Sequence, residues 1–501
     1  MAIRAPRSFQ AALWLPCLLI LLLFVTFTCA SSPRSSKLGV LRGYNKESES
    51  VYDSSLIESE SNKDYQTFYY DQTLDHFNYQ PVSYTTFRHK YVVNFKHWRG
   101  AKAAAPIFAY MGEESSLDGD IGSIGFMMES ARRFGALELY IEHRFYGESV
   151  PSGFTGEESL KNATVRGYFS SAQAIADYAE VIINLKKNLS AESSPVIVAG
   201  GSYGGMLATW FRLKYPHVAI GALASSAPIL YFDDIVPSNS YYATVTKDFQ
   251  EVSLSCYNTI KSSWSEIDRV AAKPNGLSEL SKKFNTCKPL KNASGLKDYL
   301  NTLFAVAAQY DRPPSYPVTV VCKGIDGGAN GTDILGRIFS GMVAYYKKDE
   351  KCFDLDAFFS ADSLSGWDWQ HIKTILKRFG SNIIFSNGLR DPYSSAGVLE
   401  NISDTILALS TKNGSHCLDI LPARADDPEW LTAQRNEEFK IIKFWLREYY
   451  RDLHRQRQEW ERSVTLDGGE IDEVANKIYA GLLEQSKVVI LEGGLLFWGV
   501  P

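Results

Sequence analysis

Several features that would mark other classes of protein are missing from this chain. No strong charge of one sign is present: 52 Lys and Arg face 57 Asp and Glu, a net charge of −5 over 501 residues. Nucleic-acid binding needs a clustered basic face, and none is found. Only one apolar run, Ala11 to Phe27, approaches the length of a bilayer span; nothing later in the chain does. No internal repeat is found. Cysteine is scarce, at seven residues, and histidine numbers only eight. At this length a hydrophobic core suffices for folding, so neither a metal nor a disulfide is required for it. What is there has the ordinary balance of a globular protein, 45% hydrophobic and 22% charged.

The one apolar run follows Arg4 and Arg7 and leads into Thr28-Cys29-Ala30. A basic start, an apolar middle and a small-residue exit read as a signal peptide over residues 1–30. The expected destination is the secretory pathway, ending in the extracellular space or a vacuolar or lysosomal lumen. In that oxidising setting Cys256, Cys287, Cys322 and Cys352 are expected to form two disulfides, with three pairings open, and Cys417 stands apart. Asn162, Asn188, Asn292, Asn330, Asn401 and Asn413 each open an Asn-X-Ser/Thr acceptor, and glycosylation of several is expected.

Residues 31–64 are polar and aperiodic and read as a disordered leader or propeptide. From there to residue 234 strand and helix signals alternate. Strands are predicted at Phe87–Phe95, Pro106–Met111, Ala136–Glu142, Pro195–Ala199 and Ala219–Ala224. Helices are predicted over Ser170–Leu189, capped by Ser170 or Ser171, and over Met206–Lys214. Such alternation means a mostly parallel sheet with helices on its faces. Residues 235–370 read as a mainly helical insertion, with one strand signal at Pro317–Val321. The sheet pattern resumes over 371–454, with strands at Asn382–Phe385 and Thr405–Leu409 and a closing helix from about Glu429 to Asp452. Residues 455–501 form a tail without a clear pattern.

Gly200-Gly201-Ser202-Tyr203-Gly204 matches G-x-S-x-G. The pattern alone is weak: at ordinary Gly and Ser frequencies about one chain in six of this length would carry it by chance. Its context is specific. It follows a buried strand and opens a helix, the setting in which a serine is exposed on a strained turn. Serine needs a base to act as a nucleophile, and in this architecture the chain order is serine, acid, histidine. Four histidines follow Ser202: His217, His371, His416 and His454. Only His416 sits in a loop after the last strand. Asp391 is the acid in the loop after the Asn382–Phe385 strand, with Asp404 and Asp419 as runners-up. The expected triad is Ser202, Asp391 and His416. The oxyanion donors are expected to be the Tyr203 amide and one from the loop after Met111. Gly112 is the first choice there, and Glu113 stays open. No metal or cofactor is expected.

These motifs resemble the lysosomal Pro-X carboxypeptidase and dipeptidyl-peptidase II family of serine exopeptidases. The similar stretches are Asp75-His76-Phe77, Glu142 to Ser149, Gly200 to Trp210, Ala224 to Pro228, Phe385 to Pro392 and Gly414 to Asp419, within a resemblance covering about Tyr65 to Asp452. The resemblance implies an α/β-hydrolase fold with a mainly helical inserted domain covering the active site. It also implies peptide substrates with proline next to the scissile bond. It implies the bridges Cys256–Cys322 and Cys287–Cys352, with Cys417 unpaired. It places Met206 and Tyr393 in a proline pocket, Tyr393 standing where the family usually has Trp. Glu114 falls where a family acid could hold an amine.

The sequence departs from the family after Gln370. The family usually continues for several tens of residues that carry more cysteines and part of the pocket, one of whose disulfide partners would be at the position of Ser238. The leading expectation is a carboxypeptidase releasing a C-terminal residue after proline. The alternatives are a dipeptidyl peptidase removing N-terminal Xaa-Pro and, given the shortened insertion, a catalytically impaired glycoprotein that only binds. A homodimer is an open expectation.

Overall fold

The structure, a computed structural model, describes residues 64–78, 85–151, 167–231, 235–328, 332–346, 351–355 and 372–466. The expected signal peptide, most of the expected leader, Asn162, Asn330, the junction at Gln370 and the tail beyond 466 lie outside them.

One eight-stranded sheet organises the larger of two compact units. Its strands are β1 (Tyr65–Thr73), β2 (Thr86–Asn94), β3 (Ile107–Met111), β4 (Leu137–Ile141), β5 (Val196–Gly201), β6 (Gly221–Ser225), β7 (Ile383–Gly388) and β8 (Ile406–Thr411). Their spatial order is β1-β2-β4-β3-β5-β6-β7-β8. β2 runs antiparallel to both neighbours, and all other pairs are parallel. β3, β4, β5, β6 and β7 are buried at every position, as strands covered on both faces must be, which is why they are mostly apolar. After β3 the chain moves to one side for β4, then returns to the other side for β5. The crevice between the C-terminal ends of β3 and β5 is therefore a topological switch point, the place where α/β sheets bind ligands.

Helices α1 (Gly125–Phe134), α2 (Ser171–Asn188), α3 (Ser202–Lys214) and α4 (Ser240–Val252) follow in chain order, and α4 belongs to the sheet unit. Ser170 caps α2, its hydroxyl accepting the Gln173 N–H at 3.4 Å. Ile175, Tyr178, Val181, Ile182 and Leu185 form its buried stripe.

The second unit takes in Leu254–Val306 and Val320–Asp368, as far as these are described. Helices α5 (Leu254–Ala271), α6 (Gly276–Lys283) and α9 (Ile334–Tyr346) lie in it, as do most of α7 (Ala293–Gln309) and α8 (Pro317–Asp326). Cys256 is bonded to Cys322 and Cys287 to Cys352. Residues Ala307–Thr319 belong with the sheet unit. The strand expected at Pro317–Val321 is instead the start of α8. Its β-branched residues read as a strand, but Val318, Val321, Cys322 and Ile325 are the buried ones, a spacing of three, four and seven. That is one face of a helix, and proline is well accommodated in a helix's first turn.

Helix α10 (Ile372–Phe379) returns the chain to β7, and α11 (Glu429–Leu466) follows β8. Phe439, Ile442, Trp445 and Leu446 of α11 pack into the core with Phe108, Phe126 and Leu223. Each such buried side chain contributes roughly 1.5–3 kcal/mol. The described part of α11 outruns the expected helix by 14 residues, from Asp452 to Leu466. No helix among the described residues is long and apolar enough to cross a membrane. Asn188, Asn292, Asn401 and Asn413 are all exposed.

Candidate active site

Ser202 is the first residue of α3, directly after β5, and it sits at φ +52°. A non-glycine residue in this left-handed region stores strain of about 1–3 kcal/mol. The flanking glycines make the turn feasible. A Cβ on Gly200 would come within 2.2 Å of the Gly204 backbone. The serine thus stands at the N-terminus of a 13-residue helix, whose positive end and free amides favour a developing negative charge.

Asp391 and His416 come from the loops after β7 and β8. Those loops are tied together by Leu389 N–H to Thr411 O at 2.8 Å and Arg390 N–H to Gly414 O at 3.0 Å. His416 Nδ1 lies 2.7 Å from Asp391 Oδ2, and both groups are buried. Asp391 Oδ1 accepts the Tyr393 N–H at 3.0 Å, capping a short 3-10 helix, Pro392–Ala396. A carboxylate can only accept, so His416 Nδ1 carries a proton and Nε2 is its lone-pair nitrogen when the ring is neutral. Burial disfavours the imidazolium, but the adjacent Asp391 carboxylate, with Cys417 adding to it, overcomes this and holds the His416 pKa well above 6.5.

The serine and histidine loops meet through their neighbours. A Cβ on Gly201 would lie 2.9 Å from Cys417 Sγ, so the residue before Ser202 abuts the residue after His416. Cys417 is a buried free thiol, with its N–H bonded to Ser226 Oγ at 2.9 Å. His416 N–H donates to Gln309 O at 3.0 Å. Ser202 Oγ and His416 make no direct hydrogen bond in this structure.

The expected oxyanion donor Gly112 needs correction. Its N–H donates to Ile141 O at 2.9 Å, extending the β3–β4 ladder by one residue, and its carbonyl accepts the Tyr178 hydroxyl at 2.8 Å. That amide is committed to the sheet. The next one in the loop, that of Glu113, was the open alternative. The Glu113 side chain is fully buried, and Tyr110 donates to its Oε1 at 3.0 Å.

Met206, one turn beyond Ser202, and Tyr393 are both buried. The Tyr393 ring lies 5.2 Å from His416, 4.9 Å from Tyr241 and 6.1 Å from Tyr231. Tyr310 meets the His416 ring edge-on at 5.9 Å. This tyrosine wall escapes sequence reasoning because four separate segments build it. The chain's 28 tyrosines are the only hint. Burial raises the phenols of Tyr203 and Tyr393, and the Glu114 charge adds to both shifts, so Glu114 lies within electrostatic range of the site.

A buried acid pair lies just past His416. Ser225 Oγ donates to Asp419 Oδ1 at 2.6 Å, and Ser386 Oγ donates to Glu438 Oε1 at 2.7 Å. Neither remaining oxygen, Asp419 Oδ2 or Glu438 Oε2, receives a donor. Burial raises both pKa values, and for Glu438 the Asp419 charge adds to it. Burial beside another acid disfavours ionising both groups at once. Among the described residues no cluster of His, Cys, Asp and Glu could hold a metal ion.

Strand order, the turn at Ser202 and the placing of Asp391 and His416 after β7 and β8 define an α/β-hydrolase. The chain belongs to the serine carboxypeptidase S28 family, whose model matches residues 72–361 and 369–438. It is a serine-type carboxypeptidase, a hydrolase. It is 32% identical to the lysosomal Pro-X carboxypeptidase of Homo sapiens over 457 positions, covering 79% of this chain and 91% of the human protein. It is 27% identical to the human thymus-specific serine protease, covering 75% and 86%. Since 79% of 501 residues is about 396, about 60 of the 457 aligned positions have no residue in this chain. Among solved structures, naproxen esterase from Bacillus subtilis matches at 14% identity and a TM-score of 0.33, covering 82% of this chain and all of that one. At that score it adds nothing to the strand order.

Proposed function

We propose that this chain is a lumenal exopeptidase that releases the C-terminal residue after proline through an acyl-enzyme, with Ser202, His416 and Asp391 as its triad. The observation that carries the reading is the buried His416–Asp391 pair at 2.7 Å, brought against the Ser202 turn by the Gly201–Cys417 contact. Ser202 Oγ attacks the carbonyl carbon while His416 Nε2 takes its proton. The tetrahedral oxyanion is held by the Tyr203 amide, the α3 N-terminus and the Glu113 amide. The C–N bond then breaks, and His416 returns the proton to the departing amine. Water, deprotonated by His416, cleaves the ester and restores Ser202. Asp391 holds the tautomer and stabilises the imidazolium throughout.

Proline presents a compact apolar ring and no amide hydrogen. Met206 and Tyr393 supply an apolar and aromatic lining suited to it, and the human relative's name, Pro-X carboxypeptidase, points the same way. Glu114 supports a second reading, removal of N-terminal Xaa-Pro, because its carboxylate could hold a free amine. Peptides blocked at one end or the other distinguish the two. Loss of turnover on C-terminal amidation alone supports the first reading, and loss on N-terminal acetylation alone replaces it with the second.

The shortened alignment supports a third reading, a glycoprotein that binds without turnover. Labelling of the full chain by a fluorophosphonate, abolished in Ser202→Ala, excludes it. Passage through the secretory pathway rests on the leading segment. The exposed Asn188, Asn292, Asn401 and Asn413 are its candidate glycosylation sites.

A further inference from the structure

The loop after β4 carries Glu142-His143-Arg144, all buried, and the triad uses none of them. His143 is the chemically telling one. Its Nδ1 lies 2.7 Å from the Arg144 carbonyl, which can only accept, so Nδ1 bears the proton. Its Nε2 lies 3.1 Å from the Tyr203 hydroxyl. In the neutral ring Nε2 is an acceptor, and Tyr203 donates to it.

The surroundings keep the ring neutral. Tyr203, Tyr146, Phe169 and Tyr178 enclose it at centroid distances of 5.5, 5.3, 5.9 and 6.4 Å. The charged and titratable groups facing it are Asp177, Arg144 and His89. Burial outweighs the Arg144 carbonyl and the Asp177 charge and pushes the His143 pKa down to about 4. The Tyr203 phenol is raised well above 10 by burial, so it keeps its proton. The hydrogen bond therefore has a fixed direction across the working range of a lumenal enzyme.

We propose that His143 is a positioning residue for the oxyanion site, holding the Tyr203 ring by accepting its hydroxyl and so fixing the peptide amide that follows Ser202. The proposal rests on the Ser202 reading above. The geometry makes the coupling short. Tyr203 is the second residue of α3, and its side chain is anchored in the β4 loop while its amide belongs to the strained Ser202 turn. β4 and β5 flank β3, so the anchor reaches across β3 from the loop after β4 to the helix that follows β5.

The test uses the full-length protein with the variants Tyr203→Phe and His143→Gln. Phenylalanine preserves the buried volume, so folding is retained. Glutamine keeps an acceptor near the Nε2 position and serves as the rescue variant. Three quantities are read: kcat and KM on a peptide with proline before its C-terminal residue, and the affinity of a peptidyl boroproline, which mimics the tetrahedral state. Losing a donor outright costs about 10²–10³ in rate; misorienting one should cost about tenfold. Tyr203→Phe is expected to lower kcat and boronate affinity together by that factor, with KM unchanged, and His143→Gln to fall between it and wild type.

Full kcat and boronate affinity in Tyr203→Phe would overturn the proposal, as would a change confined to KM. Fluorophosphonate labelling of the wild-type protein separates the two levels. Unlabelled wild type sinks the Ser202 reading itself. Labelled wild type with indifferent Tyr203→Phe sinks only the role of His143.

Discussion

Two histidines, each buried in a loop after a strand of the same sheet, have opposite electrostatic fates. Burial opposes the charged ring in both. His416 has the Asp391 carboxylate on its Nδ1 and is held well above the ordinary histidine value. His143 has only a backbone carbonyl on its Nδ1 and falls to about 4. A neutral carbonyl fixes the tautomer without stabilising the imidazolium, whereas a carboxylate does both. One ring can accept and hold a proton during a reaction; the other can only accept a hydrogen bond. Residue type did not decide this, and neither did burial. The neighbours did: Asp391 and Cys417 raise His416, whereas the Arg144 and His89 charges add to burial in lowering His143.

The comparison can be broken most severely at the serine. Ser202→Ala should lower kcat by about 10⁶ and abolish fluorophosphonate labelling, because the remaining site keeps only the oxyanion donors and binding. Residual turnover near wild type would show that the His416–Asp391 pair serves some other residue.

Asp391→Asn comes next, with a loss of about 10⁴ in kcat, since the amide can donate and so favours the wrong tautomer. Its pH signature is sharper than its size. The base works when neutral, so kcat/KM rises with pH through the His416 pKa. Removing the carboxylate lowers that pKa, and the rising limb of the residual activity should move to lower pH. A limb that stays in place, measured across pH 4 to 9, would mean that Asp391 does not govern His416.

Pocket residues should give intermediate effects. Met206→Ala is expected to reduce preference for proline over alanine before the scissile bond by about 10- to 200-fold, the range for changing apolar contacts in a pocket. Equal loss on both substrates would place Met206 in the core only.

The acid pair beside the His416 loop should show the smallest effect. Asp419 and Glu438 have pKa values raised by burial, so the folded state holds a proton that the unfolded chain releases. Their contribution is therefore most favourable at low pH and is lost as pH rises. Glu438→Gln keeps the hydrogen bonds and removes the titration. The drop in Tm from pH 5 to pH 8 should shrink by a few degrees in that variant. An unchanged drop would assign the alkaline sensitivity elsewhere.

Much of this was legible beforehand. The apolar run ending at Ala199, the glycines around Ser202 and the strand before Asp391 each carry their structure locally, in the period and the turn chemistry of a few consecutive residues. The Gly112 amide is not legible in the same way, because a ladder bond to Ile141, 29 positions away, consumes it. At Pro317–Val321 the β-branched residues favour a strand, while the burial of Val318, Val321, Cys322 and Ile325 rewards a helix. The tyrosine wall and the His143–Tyr203 bond join residues up to 162 positions apart, from Tyr231 to Tyr393, and 60 apart, from His143 to Tyr203.

By itself, then, the sequence determined strands β2 to β8, the strained serine turn and the placing of Asp391 and His416 in the loops after β7 and β8, because each depends on neighbours along the chain. The tertiary structure alone decided that the sheet consumes the Gly112 amide, which histidine has a carboxylate beside it and which rings surround His416. Those properties depend on partners and burial, and only the packed sheet brings the partners together.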